Sequence, residues 1–199
     1  MKQVQVLAMR HGLTQWNVLK KIQGHRDEPL SAQGIAALRG WQIPARFAHF
    51  NCVSSPLARC TQTAALLSSC VPVLEPRIME MDWGEWEGWS LERLRHRAPE
   101  EMFANEARGL DFRPRGGESP REVSVRVQRW LVELARSDTS AVMFSHKGVV
   151  RALLSLALDW DMKQKPPIKL DWHRCHLFEV SAAGGPILLE PNIALEPMS

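Results

Sequence analysis

Two short apolar runs near opposite ends of the chain constrain its fold more than any other feature. The first is Val4-Gln5-Val6-Leu7-Ala8-Met9 and the second is Ala141-Val142-Met143-Phe144. Each leads into a histidine, His11 or His146, and then into residues that start a turn or a helix. Such runs read as buried strands of a parallel sheet. In an open parallel sheet, ligands bind outside the carboxyl ends of the strands, near a switch point. Both histidines are therefore expected where a site would form, although they are far apart in sequence. Arg10, beside His11, makes that place electropositive.

Between and beyond these runs the pattern alternates. Ser31 is placed to cap a helix reaching about Trp41, and residues 49–54 read as a second strand. Ser55 is expected to cap the next helix, with Pro56 at its first position, where a missing N–H costs nothing. Helical spacing predicts that Leu57, Thr61, Ala64 and Ala65 point inward. Val71-Pro72-Val73-Leu74 reads as a short edge strand because it contains a proline. Ser90 opens a helix to about Arg97, residues 98–108 form another, and 109–117 are a loop rich in glycine, proline and arginine. Ser119-Pro120-Arg121-Glu122 is a capping box, and its helix repeats Val123, Val127, Trp130, Leu131 and Leu134 down one face. After His146 a helix carries Val149, Val150, Leu153 and Leu154 inward. Residues 174–180 alternate as a late strand, and the tail after Leu189, with two prolines, reads as irregular. Strands alternating with helices predict an α/β fold, a three-layer α/β/α sandwich with a mostly parallel central sheet.

A length of 199 residues fits one domain, spanning 1–199, with a large core. The net charge of +3 and the scattered arginines give no basis for a nucleic-acid partner. No apolar run approaches membrane-spanning length, so no membrane partner is expected. Cys52, Cys60, Cys70 and Cys175 lack paired metal spacing and the density of a secreted disulfide framework, and read as reduced thiols. Met1-Lys2-Gln3-Val4 opens directly into the first strand, and a cleaved leader would remove Arg10 and His11. A cytoplasmic location is therefore expected. Nothing in the pattern calls for a cofactor or a metal, and oligomeric state leaves no mark on it.

The histidine strings extend well beyond the runs themselves. The first is Met9-Arg10-His11-Gly12-Leu13-Thr14-Gln15-Trp16-Asn17 and the second is Ser145-His146-Lys147-Gly148-Val149-Val150-Arg151. Between them, in order, come Ser54-Ser55-Pro56-Leu57-Ala58-Arg59, then Glu80-Met81-Asp82-Trp83-Gly84-Glu85-Trp86-Glu87-Gly88, then Gly116-Gly117-Glu118-Ser119. In content and order these five blocks, over about residues 4–158, resemble the histidine phosphatase superfamily, the phosphoglycerate-mutase-like enzymes. The resemblance implies a phosphoglycerate-mutase-like fold and phosphoryl transfer from a small-molecule phosphate ester without a cofactor. It assigns catalytic roles to Arg10, His11, Arg59, Glu80 and His146, and substrate binding to Asn17, Gln23 and Gly24. Leu13 departs from the mutase branch, which usually has glutamate there, and looks like the phosphatase branch. The segment 88–116 is short beside the mutase branch's insertion, which leaves a phosphohistidine open to water. Lys147 departs from the family, where a small residue, often glycine, follows the second histidine. A charge at the pocket rim and a solvated side chain both stay open for it.

The chemistry of these residue types agrees. A phosphate monoester brings roughly two negative charges, and its transfer depends on positioning and positive charge. Guanidinium groups of Arg10 and Arg59 can each grip two oxygens and stay ionised. Asn17 can donate an amide N–H, His146 a ring N–H, and the helix start after His146 its backbone N–H groups. His11 is the candidate nucleophile, provided that one ring nitrogen is unprotonated and a backbone carbonyl holds the proton on the other. Attack gives a phosphohistidine that water then hydrolyses. A carboxyl must protonate the leaving oxygen, and Glu80 is the candidate, with Asp82, Glu85 and Glu87 close by in sequence.

Three alternatives accompany the phosphatase reading. One is a mutase-type transfer back to product. Another is a phosphate-ester-binding regulator without turnover, which the intact residue set argues against. The third is a metallohydrolase on His11, His146 and Glu80, which two arginines disfavour by repelling a cation. Substrate selectivity is expected in residues 18–30 and 88–118. His25, His49, His96, His173 and His176 read as surface or structural. Trp83, Trp86 and Trp89 read as packing residues, and Arg113 and Arg115 as part of a solvated loop.

Overall fold

The first apolar run forms β1 (Val4–Arg10) and the second forms β5 (Ala141–Ser145). In a computed structural model, which describes residues 3–198, they lie side by side and parallel, with Arg10 opposite Ser145. That register brings the residues following both strands to one edge of the sheet. On the far side of β5 lie β3 (Asn51–Ser54) and β4 (Val73–Leu74), both parallel to it. On the far side of β1 lie β6 (Cys175–Val180) and β7 (Pro186–Ile193), each antiparallel to its neighbour. The six-stranded order is β4-β3-β5-β1-β6-β7.

Alternation along β1 builds two cores. Val4, Val6 and Ala8 face α6 (Pro120–Arg136) and α7 (Lys147–Leu158), while Leu7 and Met9 face α2 (Ala32–Leu38) and α3 (Ala58–Leu67). Successive strand residues point to opposite faces, so one strand supplies both layers. The capping box starts α6 as expected: Ser119 N–H donates to Glu122 Oε2 at 2.8 Å, and Glu122 N–H donates to Ser119 Oγ at 3.3 Å. Its face of Val123, Val127, Trp130, Leu131 and Leu134 is buried. Truncating Leu131 to Ala would cost about 2–5 kcal/mol. Between α3 and α6 stand α4 (Leu91–Arg97), capped by Ser90, and α5 (Pro99–Glu106).

Three local expectations fail, each for a tertiary reason. The helix capped by Ser31 stops at Leu38, and Trp41 enters β2 (Trp41–Gln42), paired with β8 (Glu196–Pro197). Helix α3 starts at Ala58, too late for Ser55 to be its N-cap: Ser55 Oγ accepts from Leu57 N–H at 3.4 Å and from His146 Nε2 at 2.8 Å, and Ala58 N–H donates instead to Asp27 Oδ1 at 2.7 Å. Its buried face is Arg59, Cys60, Thr63, Ala64 and Leu67, while Ala65 is exposed and Thr61 half-buried. The inward face of the helix thus carries Arg59 and Thr63 beside its apolar residues. Finally, the tail is not irregular, since residues 186–193 form an edge strand. Pro186 opens it, and Pro191 falls where the pairing slips between Glu190 and Ile193. Edge positions of this kind tolerate a missing N–H.

Candidate active site

Strand β1 delivers Arg10 and His11 to the sheet edge, and His11 N–H still pairs with Ser145 O at 2.9 Å. The chain then turns, with Gly12 N–H donating to Thr63 Oγ1 at 3.0 Å. The imidazole of His11 places Nδ1 2.7 Å from Gly12 O. A carbonyl oxygen only accepts, so Nδ1 carries the proton and Nε2 keeps its lone pair. Burial, and then the charges of Arg10 and Arg59, hold His11 well below the usual histidine range. The ring is therefore neutral at physiological pH.

Two guanidinium groups lie within electrostatic reach of the ring. Arg59 is 1% exposed, and donates from Nη1 to Arg26 O and from Nη2 to Gly24 O, both at 2.7 Å. Nε of Arg10 is buried and has no acceptor among the described residues. A buried charged donor without a partner costs about 1–3 kcal/mol or more, so the arrangement suits an anion. Burial, and the neighbouring charge of Arg59, lower the pKa of Arg10, with Glu80 opposing the shift.

Two amides are aimed by Thr14, which caps the short helix α1 (Gln15–Val18). Asn17 Oδ1 accepts from Thr14 N–H at 3.1 Å, and Gln23 Oε1 accepts from Thr14 Oγ1 at 2.9 Å. Both oxygens are spent, which leaves the Nδ2 and Nε2 hydrogens for the cavity that both residues line. Glu80 lines the same cavity, with Oε1 accepting from Met81 N–H at 2.9 Å and Gly148 N–H at 3.1 Å. The helix start after His146 is therefore engaged by a carboxylate, where the sequence suggested a phosphate.

His146 departs from its expected position. It is fully buried, does not line the cavity, and packs edge-on against His11 at 5.3 Å. Its Nδ1 accepts from Arg59 Nε–H at 3.3 Å, so Nε2 carries the proton and donates to Ser55 Oγ at 2.8 Å. Burial, and then Arg59, keep it well below the usual range and neutral. In this geometry His146 orients Arg59 and presents no N–H to a ligand.

The family model of the histidine phosphatase superfamily (branch 1) matches residues 6–192. The chain belongs to that superfamily. It is similar to a probable phosphoglycerate mutase GpmB of Enterobacter sp. (strain 638), 33% identical over 162 residues, 78% of this chain and 75% of that protein. It is also similar to phosphoserine phosphatase 1 of Hydrogenobacter thermophilus, 29% identical over 81% of this chain and 79% of that protein. Among solved structures, a Thermus thermophilus protein, TTHB049, is 30% identical with a TM-score of 0.72, over 96% of this chain and 100% of that one. A mycobacterial glucosyl-3-phosphoglycerate phosphatase shares the fold, at 24% identity and a TM-score of 0.77, over 97% of this chain and 100% of that one.

In this histidine phosphatase the cavity measures about 540 Å³ and gathers Arg10, His11, Asn17, Gln23, Gly24, Arg59 and Glu80. The other carboxylates of the Glu80 block do not line it. Asp82 accepts from Gly84 N–H at 2.8 Å, Glu87 from His25 N–H at 2.6 Å, and Glu85 pairs with Arg115 at 3.4 Å. Arg113 pairs with Glu122 at 3.0 Å, so both loop arginines are occupied away from the cavity. Trp83 both packs and lines: it meets Phe112 at 5.5 Å on the cavity wall.

The walls come partly from residues 18–30 and 88–118, as expected, and partly from Met162 and Lys163, which were not foreseen. Leu110 N–H donates to Asp161 O at 2.9 Å, and tight backbone contact at Gly109 (φ +58°) holds the two segments together. No local pattern announces a contact of that kind. Among the described residues no cluster of three or more His, Cys, Asp or Glu could hold a metal. Nor is any described helix long and apolar enough to cross a membrane.

Proposed function

We propose that this protein is a phosphoric monoester hydrolase that passes the phosphoryl group of a small phosphate ester through Nε2 of His11 to water. The observation that carries this reading is the His11 tautomer, with Nδ1–H tied to Gly12 O, Nε2 left unprotonated, and the ring within electrostatic reach of Arg10 and Arg59. Arg10 and Arg59 bind the non-bridging oxygens, and the amides of Asn17 and Gln23 add neutral donors. Each charge-assisted hydrogen bond contributes about 1.5–3 kcal/mol. Gly24 acts through Arg59, whose Nη2 its carbonyl holds, and His146 acts through the same side chain.

In the first step Nε2 attacks phosphorus, the P–O bond to the alcohol breaks, and Glu80 gives its proton to the leaving oxygen. In the second step water attacks the phosphohistidine, and Glu80 takes the proton that water loses. Inorganic phosphate leaves, and His11 and Glu80 return to their starting forms. The arginines supply the positive charge that a metal supplies in other phosphoryl-transfer sites. We read residues 1–199 as one catalytic domain acting in the cytoplasm. The family match over 6–192 and four unpaired cysteines support that reading.

The likeness to probable phosphoglycerate mutases favours one rival, in which the phosphoryl group returns to product. Turnover in H₂¹⁸O separates the two. A phosphatase releases inorganic phosphate carrying one ¹⁸O, whereas a mutase yields an isomeric ester with none. A phosphorylated intermediate should be trapped as an acid-labile, base-stable label on His11 and should be absent in His11→Ala. Unchanged phosphate release by His11→Ala would overturn the assignment.

A further inference from the structure

Seven cationic side chains but only two carboxylates line the cavity. Arg10 and Arg59 are accounted for by the reacting phosphoryl group. Arg95 is paired with Glu106 at 2.7 Å, Lys163 lies 3.9 Å from Asp161, and Lys21, alone on a separate segment, lies over the Trp16 ring at 5.4 Å. Lys147 and Arg151 have neither an ion pair nor a hydrogen-bond acceptor among the described residues. They stand four residues apart on α7, and so share one helix face.

That placement is unfavourable without a ligand. Like charges at this spacing repel, and a cation in the first turn opposes the helix dipole. Each cation is braced from one side by an indole: Lys147 Nζ lies 5.1 Å from the Trp172 ring and the Arg151 guanidinium 5.0 Å from the Trp160 ring. Stacking of this kind orients a cation while leaving its N–H groups available. Partial loss of hydration lowers both pKa values; for Lys147 the charges of Arg10 and Arg151 lower it further, and Glu80 opposes the shift in both. The two therefore sit within electrostatic reach of Glu80, and Lys147 of Arg10 as well.

We propose that Lys147 and Arg151 form a subsite for a second anionic group, so that the preferred substrates are phosphate monoesters carrying a carboxylate or a second phosphoryl group. This rests on the phosphatase reading for the word substrate, but the subsite itself is a binding claim. It gives Lys147, where a small residue follows the second histidine in the resembling family pattern, a role in selectivity.

The test uses ligand pairs that differ in the second anion. Phosphoglycolate is compared with ethyl phosphate, 3-phosphooxypropanoate with propyl phosphate, and propane-1,3-diol bisphosphate with propyl phosphate. Dissociation constants are measured by calorimetry on the full chain carrying His11→Ala, which removes turnover, and kcat/KM is measured on the wild-type enzyme. The second anion should tighten binding about 10-fold or more in at least one pair. Adding Lys147→Met and Arg151→Met together should abolish that preference, while Arg151→Lys, which keeps the charge, should retain most of it. The pair that shows the preference tells a carboxylate from a phosphoryl group. Equal dissociation constants within every pair, or a preference untouched by the double substitution, would overturn the proposal. If the wild-type enzyme released no phosphate, the phosphatase reading would fail while the calorimetric ratios still decided the subsite.

Discussion

The backbone N–H of Gly148 lies 3.1 Å from Oε1 of Glu80, and a Cβ on Gly148 would occupy the place of that oxygen. The glycine is thus what lets the proposed acid reach the first turn of α7. In Gly148→Ala the obstructing atom is the end of a flexible side chain, so Glu80 should swing away and the protein should still fold. Ala also favours a helix over Gly by about 1 kcal/mol. Thermal unfolding should therefore show a melting temperature at or above that of the wild type, while kcat on alkyl phosphates falls about 10- to 100-fold. Undiminished turnover would show that Glu80 does not need this seat.

Glu80→Gln keeps the shape and removes the transferable proton. It should cost about 10²–10⁴-fold in turnover on alkyl phosphates, the range typical of general acid catalysis. Aryl phosphates with acidic phenol leaving groups need little protonation and should lose less in the first step. Phosphohistidine should then accumulate, because water activation is impaired as well. Equal losses on both ester types, with chemistry rate-limiting in each, would count against Glu80 as the acid.

Ser55 should act at a distance. Its Oγ accepts the His146 Nε2 proton, which frees Nδ1 to accept from Arg59. Ser55→Ala leaves that buried N–H unpaired, at a cost of about 1–3 kcal/mol, and releases the tautomer. The ¹⁵N shifts of His146 should report the Nε2–H tautomer in the wild type and a mixture in the variant. Inhibition by vanadate should weaken in parallel as Arg59 loses its support. A variant with an unaltered tautomer and unaltered vanadate inhibition would refute this coupling.

Stability should decline as pH falls from 6.5 to 5. Burial lowers His11 and His146 well below the usual value of 6.5, and lowers His176 to about 4. In the unfolded chain each titrates near 6.5, so there the unfolded state binds more protons and acid favours unfolding. The stabilising neutral forms are fully present above pH 6.5 and are lost toward the folded pKa. Each histidine that stays neutral contributes a slope of about 1.4 kcal/mol per pH unit. Carboxylates held low in the fold, such as Glu118, act only below their ordinary value of 4.5. Urea midpoints at pH 7, 6 and 5 should fall steadily, and His176→Gln should flatten the slope. A flat profile in the parent protein would contradict the burial of these rings as neutral species.

Much of the framework of the candidate site was legible in the string because strand runs and turn chemistry are local. Val4–Met9 and Ala141–Phe144 announced the two central strands, and their parallel pairing carried Arg10, His11 and Ser145 to one edge. The capping box at Ser119 was equally readable, since its partners stand three residues apart. Ser55 was misread for the same reason. Its position suited a helix cap, yet the helix starts at Ala58, whose N–H donates to Asp27, and the Ser55 hydroxyl also bonds His146, 91 residues away. A local rule sees the nearest available N–H and cannot weigh distant partners against it.

The amino-acid sequence by itself determined the strands and caps, the family pattern and the types of residue that the chemistry uses. Tertiary structure decided which of those groups line the cavity. It selected Glu80 over Asp82, Glu85 and Glu87, because only Glu80 reaches the start of α7 from the cavity wall. It turned His146 from the cavity toward Arg59 and Ser55, and added Met162 and Lys163 to the wall. It also folded the proline-bearing tail into an edge strand, which needs one hydrogen-bonded neighbour and so tolerates Pro191. In each case the competing local states differ little in energy, and long-range hydrogen bonds or packing that no short window contains select between them.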